Sequence, residues 1–179
     1  MTPYIDLPEN LFGITSLLEY RLDTAEPIRV LTQSLLRGPS SLSEGERELI
    51  AAIVSTKNCT AFCTAAHTTV ADHLLHGPQS AAEIVANVEE AKISEKMKAL
   101  LQIAASVQEN GKQVSKGQID RAKKAEASDR EIHDTVLIAA LFCLYNRYVD
   151  GLNTRLPEDT DYYQTLAARI SKSYMRQPQ

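Results

Sequence analysis

Four residues of one short stretch have types and spacing that could do chemistry: Glu48, Cys59, Cys63 and His67, in ELIAAIVSTKNCTAFCTAAH. Glu48 sits on one predicted helix. Cys63 and His67 sit on the next, four residues apart, so they share a face. A neutral imidazole there can accept the thiol proton, and the imidazolium that results stabilises the thiolate. Glu48 could orient or protonate that imidazole, directly or through a water. Cys59 lies near the start of the second helix, where backbone N–H groups favour a thiolate. A sulfur oxidised to sulfenic acid could condense with a nearby thiol to a disulfide.

Geometry limits that last step. Two cysteines four apart inside a regular helix hold their Cβ atoms roughly 6 Å apart, beyond the ~3.5–4.5 Å of a disulfide. The bond requires Cys59 to sit at or before the helix start. Two other readings stay open. Cys63 and His67 could be packed core residues, since free cysteine is among the most buried residue types. Cys59, Cys63 and His67 could also offer three metal ligands, although structural zinc sites use wider, loop-borne spacing and a fourth ligand. Cys143, within an apolar helix, reads as a small core hydrophobe.

The elements that must position these residues are helical throughout. Hydrophobic residues make up 44% of the 179, with 7 Gly, 7 Pro and no Trp, which favours an all-α fold in one domain spanning 1–179. Residues 1–13 read as an extended arm laid over the core or a neighbouring subunit. Helices are expected over 14–21 and over 25–36, the latter ended by Gly38 and Pro39. Ser43 to Glu46 is a capping-box pattern opening the Glu48 helix, which runs to about Thr56. Asn58 is the expected N-cap of the Cys63–His67 helix, which stops at Gly77-Pro78. Further helices follow Ser80, Ser94 and Gly117-Gln118. A second capping box at Ser128–Glu131 opens the most hydrophobic helix, with Val136, Ile138 to Phe142 and Leu144 buried. Pro157 is expected in the first turn of a last helix reaching about Met175.

Composition excludes several classes. The net charge is -4, and no basic cluster exceeds Arg121 to Lys124, so neither nucleic acid nor an anionic membrane is an expected partner. No apolar run approaches a membrane span. MTPYIDLPEN has neither the charged nor the apolar region of a signal peptide. Three cysteines do not make a secreted disulfide framework, and a close pair suits a cytoplasmic protein.

SLLRGPSSLSEGERELIAAIVSTKNCTAFCTAAH, followed later by SDREIHDTVLIAALFCLYNRYVDGL, resembles the carboxymuconolactone decarboxylase superfamily, and within it the alkylhydroperoxidase D-like, peroxidase-related branch. The resemblance runs from about Leu35 through Leu152. It implies an AhpD-like helical bundle with the active-site hairpin in its core, assembled as a homo-oligomer (dimer, trimer or hexamer). It also implies a proton relay of Glu48 and His67, with Cys63 as the peroxide-reacting cysteine. The family's first cysteine falls on Thr60, so Cys59 stands one position early, giving Cys-x-x-x-Cys. One residue turns a side chain by about 100° around a helix, so Cys59 does not simply inherit the resolving role. Asn146, Arg147 and Asp150 match a family signature and read as structural bridges between helix ends. The expected activity is reduction of hydroperoxides in antioxidant defence, recycled by a dithiol reductant, with no metal or organic cofactor. The alternatives are an acid–base decarboxylase or isomerase using Glu48 and His67, and a redox-sensing helical module with little turnover.

Overall fold

The structure is a computed structural model and describes residues 2–176. Among these residues the regular elements are helices only. The elements are α1 (Gly13–Tyr20), α2 (Leu22–Arg37), α3 (Glu44–Lys57), α4 (Ala61–Leu75), α5 (Ala81–Ala86), α6 (Glu95–Glu109), a single 3-10 turn (Gly111–Gln113), α7 (Lys116–Lys124), α8 (Asp129–Gly151) and α9 (Asp161–Ile170).

The organising helix is α3, because its sequence is apolar on nearly every side. Leu49 through Ser55 are all buried, the pattern of a helix surrounded by others. It forms a hairpin with α4 and packs on α6 and α8. One core lies between α3, α6 and α8, around Leu100, Ile103 and Phe142. A second lies between α4, α9 and the N-terminal arm, around Phe62, Cys63 and Ala167. The arm is laid over the chain's own core: Leu7 is buried, and the Tyr4 N–H donates to the Leu152 carbonyl at 3.1 Å.

Local signals explain most boundaries. Both capping boxes form: Ser43 with Glu46 opens α3, and Ser128 with Glu131 opens α8. Gly38 ends α2, but at φ -71° rather than in a left-handed turn. Glycine is required there by space, since a Cβ would lie 2.3 Å from the Ser34 carbonyl oxygen. Gly13 has both constraints, a φ of +50° and the Phe62 ring 2.2 Å from where its Cβ would be.

Four expectations need correction. Asn58 caps the end of α3, and Thr60 occupies the N-cap of α4. The Asn58 amide is committed elsewhere: its Nδ2 donates to Asn146 Oδ1 and its Oδ1 accepts from Gln108 Nε2, both at 2.8 Å. Pro157 precedes α9 without entering it, because Asp159 accepts from the Asp161 N–H and starts the helix later. The helix also stops at Ile170, short of Met175, where Arg37 takes the Ile170 and Ser171 carbonyls. Ala140 and Leu144 lie on an outward stripe of α8 and are exposed.

Candidate functional site

Glu48 is 0% exposed. A lone carboxylate at such depth would be protonated, yet three donors surround this one. Arg37 Nη2 and the Tyr174 hydroxyl both donate to Oε1 at 2.6 Å. The His67 ring meets Oε2 through Nδ1 at 2.7 Å. Burial pushes the Glu48 carboxyl up, but the hydrogen bond and charge of His67, then Arg37 and Tyr174, outweigh it and hold it below the usual range. The ionised carboxylate can only accept. In the neutral imidazole the one ring proton therefore belongs on His67 Nδ1, which leaves Nε2 as the acceptor.

Arg37 ties the ends of α2 and α9 to this carboxylate. Its side chain is 2% exposed, and its guanidinium lies 4.8 Å from the centre of the Tyr174 ring. Burial works against its charge, but Glu48 and Tyr174 more than offset this. Burial and the Glu48 charge together keep the Tyr174 hydroxyl protonated, well above its ordinary range. Sequence reasoning missed both residues. Arg37 falls just past the helix expected over 25–36 and Tyr174 near the end of the expected last helix, and neither position belongs to a motif.

His67 lines an apolar cavity of about 60 Å³ with Phe62, Ala66, Phe142 and Tyr145. That exceeds the ~10–15 Å³ one water needs. The Phe142 ring stands edge-on to the imidazole, with centroids 4.5 Å apart.

The structure does not gather all four predicted residues. Cys63 lies one turn before His67 on α4 but is packed into the second core, with its sulfur toward the Asn146 amide. Burial pushes its thiol up to about 12, against a partial lowering by Asn146. Cys59 is exposed and stands before α4 with φ 57°. It faces a surface groove with Val149, Asp150 and Thr154. The position before the helix that a disulfide requires is therefore the one Cys59 occupies, while all three cysteines are free thiols. Cys143 is partly buried, with its sulfur 3.9 Å from Asn58 Nδ2.

The α8 signature divides. Asn146 Nδ2 donates to Ser55 Oγ at 3.1 Å, and Asp150 accepts from the Thr60 hydroxyl at 2.5 Å, so both tie α8 to the α3–α4 turn. Arg147 is exposed, and among the described residues its side chain donates only to the Cys143 carbonyl of its own helix. Among the described residues no three His, Cys, Asp or Glu side chains are grouped to hold a metal ion.

Residues 74–153 match the model of the carboxymuconolactone decarboxylase family. That segment begins after His67 and ends after α8, so it takes in Asn146 and Asp150 but none of the four residues above. Two solved structures share the fold. One is an alkylhydroperoxidase AhpD core, an uncharacterized peroxidase-related protein from Ralstonia eutropha JMP134. It has a TM-score of 0.75 at 23% identity, over 84% of this chain and 79% of that one. The other is an uncharacterized peroxidase-related protein from Silicibacter sp. TM1040, with a TM-score of 0.74 at 20% identity, over 92% of this chain and 81% of that one. No curated protein sequence matches the chain significantly.

Proposed function

We propose that this chain, with its carboxymuconolactone decarboxylase family segment and AhpD-like fold, is a thiol-dependent peroxidase. The observation that carries the reading is the buried Glu48–His67 hydrogen bond. It leaves an imidazole acceptor facing a small apolar cavity, one helical turn from a cysteine.

In the first step the Cys63 sulfur attacks the terminal oxygen of a hydroperoxide, ROOH. The S–O bond forms and the O–O bond breaks, so sulfur loses two electrons and the peroxide gains them. A thiol held at about 12 is almost wholly protonated at neutral pH, so its proton must leave as the bond forms. His67 Nε2 accepts it and returns it to the alkoxide, giving ROH and Cys63 sulfenic acid. Glu48, fixed by Arg37 and Tyr174, steadies the transient imidazolium. The Cys59 thiol then displaces water from the sulfenic acid to form a disulfide, and a dithiol reductant restores both thiols. Cys59 faces outward and Cys63 inward, so this link needs the turn at residues 58–60 to reorient. Sulfur carries both electrons, so no cofactor takes part.

We place this activity in the cytoplasm of the cell and in a homo-oligomer. Among the described residues no helix is long and apolar enough to cross a membrane. Tyr20 of α1 and Leu22, Val30 and Leu31 of α2 are exposed large apolar side chains, surface that a second copy would cover.

The test is the intact mass of the reduced protein after one equivalent of hydroperoxide, with peptide mapping. A loss of two hydrogens located to a Cys59–Cys63 link is the expected result. One oxygen retained on Cys63 would assign the resolving step to an external thiol. Neither sulfur changing would overturn the peroxidase reading.

One observation favours a second reading. Cys63 does not line the cavity, so Glu48 and His67 could act there alone, as the base of a decarboxylase or isomerase. Turnover that survives Cys63→Ser would select this alternative.

A further inference from the structure

Beside the His67 cavity lies a second pocket of about 430 Å³. The two share Thr15, Arg29, Leu166 and Arg169 in their walls, so they lie side by side. The inner space is apolar and ends on His67. The outer one carries Arg29, Arg169 and Arg176, with Glu19 as its only acid among the described residues.

Among the described residues the charges there do not balance. Glu19 bridges two of the three arginines: Oε1 accepts from Arg29 Nη2 and Oε2 from Arg176 Nη2, both at 2.9 Å. No side-chain partner of Arg169 is found among the described residues. Arg29 is 9% exposed, its Nη1 reaches the Tyr174 carbonyl at 3.4 Å, and its Nε has no hydrogen-bond partner among the described residues. A buried guanidinium N–H without an acceptor is costly and rare. The acids Glu158, Asp159 and Asp161 line a neighbouring groove and not this pocket.

We infer that the arginine pocket holds the carboxylate of an amphipathic substrate whose apolar end reaches the His67 cavity. A carboxylate supplies what the pocket lacks: negative charge against two uncompensated cations, and acceptor lone pairs for planar guanidinium donors. The substrate class is then a short-chain organic acid that carries its reactive group away from the carboxylate. On the peroxidase reading, this is a hydroperoxide of a carboxylic acid. The inference rests on the His67 cavity as the reaction centre and not on the fate of Cys63.

Binding of hexanoate and of hexan-1-ol is compared by NMR titration in the full chain carrying Cys63→Ser, so that no turnover intervenes. Hexanoate is expected to bind about tenfold tighter at low salt. Arg169→Gln should abolish that preference, weakening hexanoate about tenfold more than hexan-1-ol. If Arg169→Gln lowers the melting temperature by several degrees, Arg176→Gln, at the exposed rim, takes its place. Equal affinity of the two probes, or an equal loss of both in the variant, would overturn the pocket. That failure is distinct from failure of the peroxidase reading, which is read separately from oxidation of Cys63 in the parent protein.

Discussion

At the scale of single residues, Glu48 is the member of the site whose removal has the clearest cost. Glu48→Gln keeps the shape and removes the charge. Arg37 is then left with an unpaired charge inside the core, and the amide N–H₂ must face a donor on one side. Breaking a buried pair in this way costs about 3–5 kcal/mol, so the denaturant midpoint should fall by that equivalent. A loss under about 1 kcal/mol would mean that Arg37 finds another anion. The two nearby thiols should also separate by reactivity. At pH 7.5 iodoacetamide should label exposed Cys59 readily and Cys63 only after unfolding, because its thiol is buried and held at about 12. Peptide mapping of the labelled protein checks this, and equal labelling of both would contradict the burial. The sequence made Glu48 and His67 legible as a pair because helical spacing and a short connection bring them together. It could not show Arg37 and Tyr174, whose contacts with Glu48 span 11 and 126 positions and follow no period.

At the scale of elements, the α3–α4 turn decides where both cysteines point. The capping boxes were readable because each is a contact between residues three apart. The start of α4 was not, because Asn58 is claimed by Asn146 and Gln108 from α8 and α6. A cap propensity yields to tertiary partners of that kind. The displaced start leaves Cys59 in the left-handed region at φ 57°. A non-glycine residue there carries strain of order 1–3 kcal/mol, and a β-branched one carries more. Cys59→Val should therefore lose about 1–2 kcal/mol relative to the parent, while Cys59→Gly stays within about 1 kcal/mol of it. Urea unfolding of the two variants measures this. Equal stabilities would mean that the turn relaxes, and with it the obstacle to a Cys59–Cys63 bond.

At the scale of the whole molecule, buried titratable groups fix how stability follows pH. Glu131 caps α8 while accepting from Lys96 and Ser41. Burial opposes its charge, but Lys96, Ser128 and Ser41 outweigh it and hold it at about 2, against an ordinary 4.5. The unfolded chain thus takes up this proton near pH 4.5 and the folded chain only near 2. The contribution of Glu131 is whole above about 4.5 and is lost as pH falls toward 2. Glu48 adds in the same direction. The alkaline limb has the opposite origin. Burial raises Cys63 from 9.0 and Tyr145 from 10.0, each to about 12. Their unfolded forms ionise first, so their contribution is whole below about 9 and fades as pH rises toward 12. Urea unfolding at a series of pH values should therefore give a plateau falling at both ends. Glu131→Gln should flatten the acid limb without touching the alkaline one, and Cys63→Ser should make the alkaline limb shallower without touching the acid one. An alkaline limb unchanged by Cys63→Ser would mean that Cys63 ionises alike in the folded and unfolded chain. The thiol would then be open to solvent and far more nucleophilic than its packing in the second core allows.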